Sequence, residues 1–245
     1  MNSNIQIIRY EECESSLWKN GGGSTKQLLI WPKGAGLSNF DFRISIATIS
    51  SDGPFSLFHG IDRQICILEG EGVRLKIKGN DLRQLEEIVL RPNDSPFCFN
   101  GETQIESQLL DKQIIDFNVM TKRGKYRAYI EPLELNGSLN LEPSKTYHKD
   151  NIHRPTNPHN NERQWLLCLE PLNFFYQGQT IQLKRYDMMQ CLQWPDSKTQ
   201  LLEIQRLEGA SLKVTSSEAK QSEIKHTVHH RQCQVLRIII VRNDI

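Results

Sequence analysis

Gly53-Pro54-Phe55-Ser56-Leu57-Phe58-His59-Gly60-Ile61-Asp62-Arg63-Gln64-Ile65-Cys66-Ile67-Leu68-Glu69-Gly70-Glu71-Gly72 is the stretch whose reading decides the fold. Glycine and proline turn signals at both ends bracket an apolar run interrupted near its middle, which reads as strand, tight bend, strand. His59, Asp62 and Arg63 sit together at the bend. Buried polar groups without partners are costly, so these three either satisfy one another or face a ligand. A cavity inside a small β-barrel allows both.

Outward from this stretch, period-two patterning marks the other strands. Phe40, Phe42, Ile44 and Ile46 alternate with Asp41, Arg43, Ser45 and Ala47, giving one apolar and one polar face. Such a strand packs one side between sheets while the other lines a cavity, and periodicity does not say which. Ile115, Phe117 and Val119 alternate with Asp116, Asn118 and Met120 in the same way, and Val73, Leu75 and Ile77 alternate with Arg74, Lys76 and Lys78. Asn4 to Arg9 reads as a first strand, Glu11 to Ser16 as a turn or short helix, and Ile130 to Glu142 as a crossing strand or hairpin. Pro155 and Pro158 forbid regular structure in the His- and Asn-rich stretch 143–162, an expected exposed loop. Gln164 to Glu170, Gly178 to Asp187, Leu201 to Leu207 and Gln234 to Arg242 read as later strands, separated by turns at Gln177-Gly178, Trp194-Pro195-Asp196 and Glu208-Gly209. The order of Leu166 to Asp187 echoes that of Ile65 to Asp94, a weak internal repeat. The expectation is an all-β chain in two units, residues 1–130 and 131–245.

With 245 residues, 38% hydrophobic and 24% charged, the chain is long enough for one large or two modest β domains. A formal net charge of +1 offers no electrostatic footprint for nucleic acid or an anionic membrane. The six cysteines are widely spaced with no C-x-x-C pair, which suits free thiols. Met1 to Tyr10 lacks an apolar leader core, and the greasiest run, Val235 to Val241, contains Arg237. The expected location is the cytoplasm.

Leu17-Trp18-Lys19-Asn20-Gly21-Gly22-Gly23-Ser24-Thr25 holds more glycine than a plain connection needs. Either something approaches that backbone closely, whether a neighbouring strand or an anion on consecutive N–H groups, or the chain adopts positive φ there. No helix pattern follows, which excludes a nucleotide fingerprint.

Trp-x-Asn-Gly-Gly-Gly-x-Thr resembles the opening signature of the HutD/Ves family of cupin-like proteins. Phe42 to Ala47, Gly53 to Phe58, Gly60 to Arg63, Pro96 to Gly101 and Asp116 to Thr121 resemble further blocks of that family in the same order, over about residues 17 to 124. Gly53 and His59 also have the spacing of the glycine and first metal-ligand histidine of the cupin superfamily. The next ligand positions hold Ile61 and Ile65, and in the second motif, Pro92 to Phe97, Asp94 replaces the glycine and Phe97 the histidine. A lone imidazole does not hold a divalent metal. The resemblance thus implies two cupin-like jelly-roll β-barrels, a bicupin, with no metal, no cofactor and no assigned catalytic residue. HutD proteins are associated with histidine utilisation and Ves proteins with stress responses. The implied ligand is a small anionic metabolite, such as a formylated glutamate derivative, sensed or buffered in the first barrel.

On this reading Arg43 and Arg63 hold a carboxylate through their guanidinium forks, Asp62 orients an arginine, and Lys19, Asn20, Thr25, Ser45 and Asn118 complete the polar lining. An internal ion pair of Asp62 or Asp116 with either arginine is an equal alternative. Two other classes stay open: a divergent metal-dependent isomerase or oxygenase recruiting its ion through His59, and a scaffold forming a homodimer through Phe40 and Phe42. His226, His229 and His230, like His148, His153 and His159, read as solvated surface. No nucleophile signature such as G-x-S-x-G is present.

Overall fold

A computed structural model describes residues 5–78, 85–133, 138–141, 162–176, 179–191, 200–206 and 234–243. The loop expected over 143–162, Glu162 aside, and the histidines at 148, 153, 159, 226, 229 and 230 lie outside the described residues. So do the turns expected at 177–178, 194–196 and 208–209.

Strands make up the fold, with one 3-10 turn at Tyr10–Glu12 among the described residues, where a turn or short helix was expected. A six-stranded sheet runs β2 (Ser15–Leu17), β3 (Gly23–Trp31), β4 (Phe42–Ile49), β11 (Ile114–Lys122), β6 (Ile61–Glu69), β9 (Phe97–Asn100). A four-stranded sheet, β5 (Gly53–Pro54), β10 (Ile105–Leu109), β7 (Val73–Lys78), β8 (Leu85–Leu90), covers one of its faces. The later chain forms a five-stranded sheet of β1 (Ile7–Ile8), β17 (Met188–Cys191), β14 (Glu162–Cys168), β19 (Val235–Arg242), β12 (Tyr126–Leu133). The last sheet has the order β13 (Ser138–Leu141), β18 (Gln200–Arg206), β15 (Leu172–Tyr176), β16 (Gln179–Leu183).

Three apolar layers join these sheets. Ile49, Ile65, Ile67 and Ile114 of the six-stranded sheet pack with Val73, Leu75, Leu90 and Ile105 of its cover. On the opposite face Phe42, Ile44, Ile46, Phe117 and Val119 meet Trp165, Leu167, Leu236, Ile238 and Ile240 of the five-stranded sheet. Leu166, Cys168, Met189 and Val235 then meet Leu172, Phe174 and Leu183. A strand sandwiched between layers is apolar on both faces, which explains why β19 is apolar from Val235 to Val241 apart from Arg237. The alternation in β4 also acquires its direction: Phe42 faces the later half of the chain, its ring centroid 5.9 Å from that of Trp165 and 5.3 Å from that of Tyr126. Phe40 and Phe42 are both buried within the chain, so the aromatic face expected to meet a partner is spent internally.

Two expectations need correcting. Residues 53–72 are not a hairpin, because β5 pairs with β10 whereas β6 pairs with β11 and β9, in a different sheet. The segment is a corner that carries the chain from one sheet to the other. His59, Asp62 and Arg63 also do not share a site. Successive residues of a strand point to opposite faces, so Asp62 and Arg63 diverge, and His59 sits exposed on the turn before β6. The boundary expected at residue 130 falls inside β12, and β1 crosses to the later half, where Ile7 pairs with Met189.

Candidate functional site

Directly opposed residues of antiparallel strands share a face, so the register fixes which side chains look inward from the six-stranded sheet. Three rows cross it. Thr25, Ala47, Asp116 and Ile67 form the first; Gln27, Ser45, Asn118, Ile65 and Phe97 the second; Ile30, Arg43, Met120, Arg63 and Phe99 the third. Polar groups cluster on β3, β4 and β11 together with Arg63 of β6, and the remaining inward residues of β6 and β9 are apolar. The ladder is irregular beside the cluster, between Gln27 and Leu29 on β3 and where Ile115 and Asp116 meet β6. Such bulges re-aim side chains.

Arg63 is 7% exposed and lies among aromatic rings, its guanidinium carbon 4.8 Å from the Phe99 centroid, 5.4 Å from Phe55 and 5.6 Å from Phe58. Its Nη1 donates to the Ser56 carbonyl at 3.2 Å, while its buried Nε has no partner. Burial lowers this guanidinium to about 10, opposed by Asp116 and reinforced by Arg43, so it remains a cation at neutral pH. Arg43 is less buried. Its Nε donates to Gln27 Oε1 at 3.0 Å and its Nη1 lies 3.9 Å from the Met120 sulfur. Burial lowers Arg43 too, with Asp116 pulling the other way.

Asp116 is 3% exposed and its Oδ1 has no hydrogen-bond partner. Burial pushes its carboxyl up to about 7, against the pull of Arg63, the Ala47 amide and Arg43. Both arginines act on it through space without a salt bridge, so the internal ion pair weighed above does not form at Asp116. Asn118 is buried with its Oδ1 unpartnered, and Ser45 is buried beside it.

Of the residues expected from sequence, Thr25, Arg43, Ser45, Arg63 and Asn118 share this face. Thr25 accepts a hydrogen bond from Trp18 Nε1 at 2.8 Å. Asp62 points the other way and accepts from Arg123 Nε at 2.6 Å, in an exposed network where Arg123 also donates to Glu102. It orients an arginine, but one outside the cluster. Lys19 and Asn20 lie on the exposed turn before β3. There the Gly22 amide donates to Asn20 Oδ1 at 3.1 Å and the Gly21 amide to the Trp18 carbonyl at 3.0 Å. The glycines serve close packing: a Cβ on Gly23 would lie 2.4 Å from the Thr48 carbonyl oxygen, and Gly21 holds φ +72°. Sequence reasoning missed Gln27 and the cage of Phe55, Phe58 and Phe99. It named Asp116 only as an ion-pair partner, although the alternation over 114–120 already put Asp116 beside Asn118.

Among the described residues no group of three or more His, Cys, Asp or Glu is placed to hold a metal ion. A cleft of about 400 Å³ lies elsewhere, lined in part by Arg9, Glu12, Gln182, Lys184 and Asp187. Its cations are engaged, Arg9 with Asp187 at 2.6 Å and Lys184 with Glu11 at 2.8 Å. No helix among the described residues is long and apolar enough to cross a membrane.

The sequence model of a family described as HutD matches residues 10–212. An uncharacterized 21.2 kDa protein in the hutC 3′ region of Pseudomonas putida is 39% identical over 129 residues, 53% of this chain and 64% of that protein. Protein Ves of Escherichia fergusonii is 32% identical over 116 residues, 47% of this chain and 56% of its own length. The chain therefore spans less than two thirds of these relatives. HutD from Pseudomonas fluorescens SBW25 superposes with a TM-score of 0.65 at 21% identity, covering 98% of this chain and 100% of that one, a likeness of fold.

Proposed function

The chain belongs to the HutD family and has a cupin-like all-β fold, and from that premise we propose that the inner face of its six-stranded sheet binds a small carboxylate. One observation carries this reading: Arg63 Nε, Asp116 Oδ1 and Asn118 Oδ1, all buried and all without partners, lie on one face with two guanidinium groups. Each such atom left unmade costs roughly 1–3 kcal/mol, and a carboxylate that accepts from Arg63 Nε, on a molecule whose own N–H donates to Asn118 Oδ1, offsets that cost at both. With the Asp116 carboxyl titrating at about 7, it sets at most one negative charge against two guanidinium groups, so the cluster is net positive and selects an anion. Arg43, the less buried cation, meets the carboxylate first, and Arg63 holds it from within, with Ser45, Thr25 and Asn118 orienting the remainder.

The relationship to a protein in the hutC 3′ region supports an anionic metabolite of histidine utilisation, such as a formylated glutamate derivative, sensed or buffered rather than transformed. The donor set does not suit the metal of a catalytic cupin. The remaining ligand positions hold Ile61, Ile65 and Phe97, and His59 is exposed on its turn. The shared apolar layer of each sheet pair supports two jelly-roll barrels, with the first unit ending before β12. We place the protein in the cytoplasm with no nucleic-acid or membrane partner.

The test is calorimetric titration with N-formyl-L-glutamate, glutamate and formate. Arg43→Ala weakens the best of them at least about tenfold, about 1.4 kcal/mol. No binding by any of the three acids, or an unchanged affinity in Arg43→Ala, refutes the assignment.

A further inference from the structure

Asp116 is the one charged side chain of the cluster to which carboxylate binding gives no task. It sits on the same face as Asn118, two residues away on β11, one row from Ser45 and two rows from both arginines, buried and with Oδ1 unpartnered. An ionised carboxyl there repels an incoming carboxylate and competes with it for Arg43 and Arg63. A protonated one offers an O–H donor to the same space, and a hydrogen bond from O–H to an anionic oxygen is among the stronger ones available to a protein. Resting on the carboxylate reading, we propose that Asp116 is itself a ligand-contacting residue, donating a hydrogen bond from its protonated carboxyl to the bound anion, so that an anion arriving while the carboxyl is ionised brings a proton in with it.

The surroundings suit this role. Arg43 on β4 and Arg63 on β6 are the charged groups facing Asp116, while β3 contributes Thr25 and Gln27. From the covering sheet Val73, Leu75, Ile105 and Ser107 look inward without charge, and Glu86, which shares the face of Ile77, is exposed. No imidazole competes for the proton among these residues. Burial already pushes the carboxyl up to about 7, and a second anion alongside raises its proton affinity further. The proton comes from solvent on binding and returns to it on release, with no covalent change. The same arrangement rejects cationic ligands, which find two guanidinium groups and a neutral acid.

The experiment is titration of the full chain with N-formyl-L-glutamate between about pH 6 and pH 8.5, in buffers of different ionisation heat. The expected result is uptake of close to one proton per ligand at the alkaline end, with affinity level in acid and falling about tenfold per pH unit above neutrality. Asp116→Asn, similar in shape and permanently neutral, abolishes both effects and binds more tightly than the parent at pH 8. A merely structural Asp116 changes affinity by the same factor at every pH. Difference infrared spectra of the unsubstituted protein, free and saturated, keep the test open should the variant fold poorly, since binding must increase a protonated-carboxyl band. Binding without proton uptake or that band overturns this inference and leaves the carboxylate reading standing. No binding by any acid overturns both.

Discussion

Replacing Asp116 by Asn exchanges a buried oxygen for a nitrogen and removes one titration, so the difference between the two proteins isolates the cost of ionising a carboxyl between sheets. In the folded chain this carboxyl ionises at about 7 rather than at the ordinary 3.8, because burial penalises the charge more than Arg63, the Ala47 amide and Arg43 favour it. Below 3.8 both folded and unfolded chains carry the proton, and the group favours neither. From there to about 7 the unfolded chain gives up its proton while the folded chain keeps it, so stability falls as pH rises. Above that range both are ionised and the loss is complete.

A displacement of about three pH units, at roughly 1.4 kcal/mol each, comes to about 4 kcal/mol. That is a large share of the roughly 5–15 kcal/mol that hold an ordinary domain together. Urea unfolding followed by circular dichroism at intervals from about pH 4 to pH 8 reads it directly. The native protein should lose stability relative to Asp116→Asn steadily across this range and level off near neutrality. Glu102, held down to about 2 chiefly by its hydrogen bond from Arg123, adds stability that disappears only in stronger acid, and it is common to both proteins. Parallel curves, separated by a constant offset at every pH, would refute the reasoning, because they would mean that the carboxyl titrates alike in both states.

Arg63→Leu places an apolar side chain among Phe55, Phe58 and Phe99; affinity for N-formyl-L-glutamate should drop at least about tenfold while urea stability holds or rises, since no charge is then desolvated. A loss of more than about 2 kcal/mol of stability would show the guanidinium to be structural instead. Trp165→Ala, at a side chain 2% exposed between the six-stranded and five-stranded sheets, should cost about 3–5 kcal/mol by chemical denaturation. A cost below about 1 kcal/mol would contradict a shared core between the two halves.

The all-β class was legible because alternation survives wherever a strand has one polar face. β4 and β11 showed their two faces in the sequence, and the structure supplied only the direction of each. Pairing was less legible, because the partners are remote: Ile7 meets Met189, and β12 meets β19 across the whole later half of the chain. The misread corner at 53–72 has the same origin. Adjacent apolar segments joined by a turn suggest a hairpin, yet Glu106 and Ser107, some fifty residues on, are what pair with Pro54 and Gly53. The parity of Asp62 and Arg63, by contrast, was available from the sequence alone. Neighbours in a strand cannot face one cavity, and this separates the Arg63 cluster from the exposed Asp62, Arg123 and Glu102 network without any coordinates.

The later half of the chain supplies an internal comparison for the site. Arg237 is also a buried guanidinium on an inner face, opposite Glu131 on β12 and Leu166 on β14. Its Nε and Nη2 donate to Gln164 Oε1 at 3.0 and 2.8 Å, its Nη1 donates to Glu131 at 3.3 Å, and Gln164 in turn donates to Glu162. That network completes itself, which is what a structural arginine requires. Arg63 sits in an equivalent layer with its Nε unsatisfied, and Asp116, the carboxylate that would close such a network, stays near neutrality without pairing with it. Both arginines are desolvated, so burial alone does not distinguish them. The difference lies in the unmade bonds of the first inner face, which on our proposal a ligand makes.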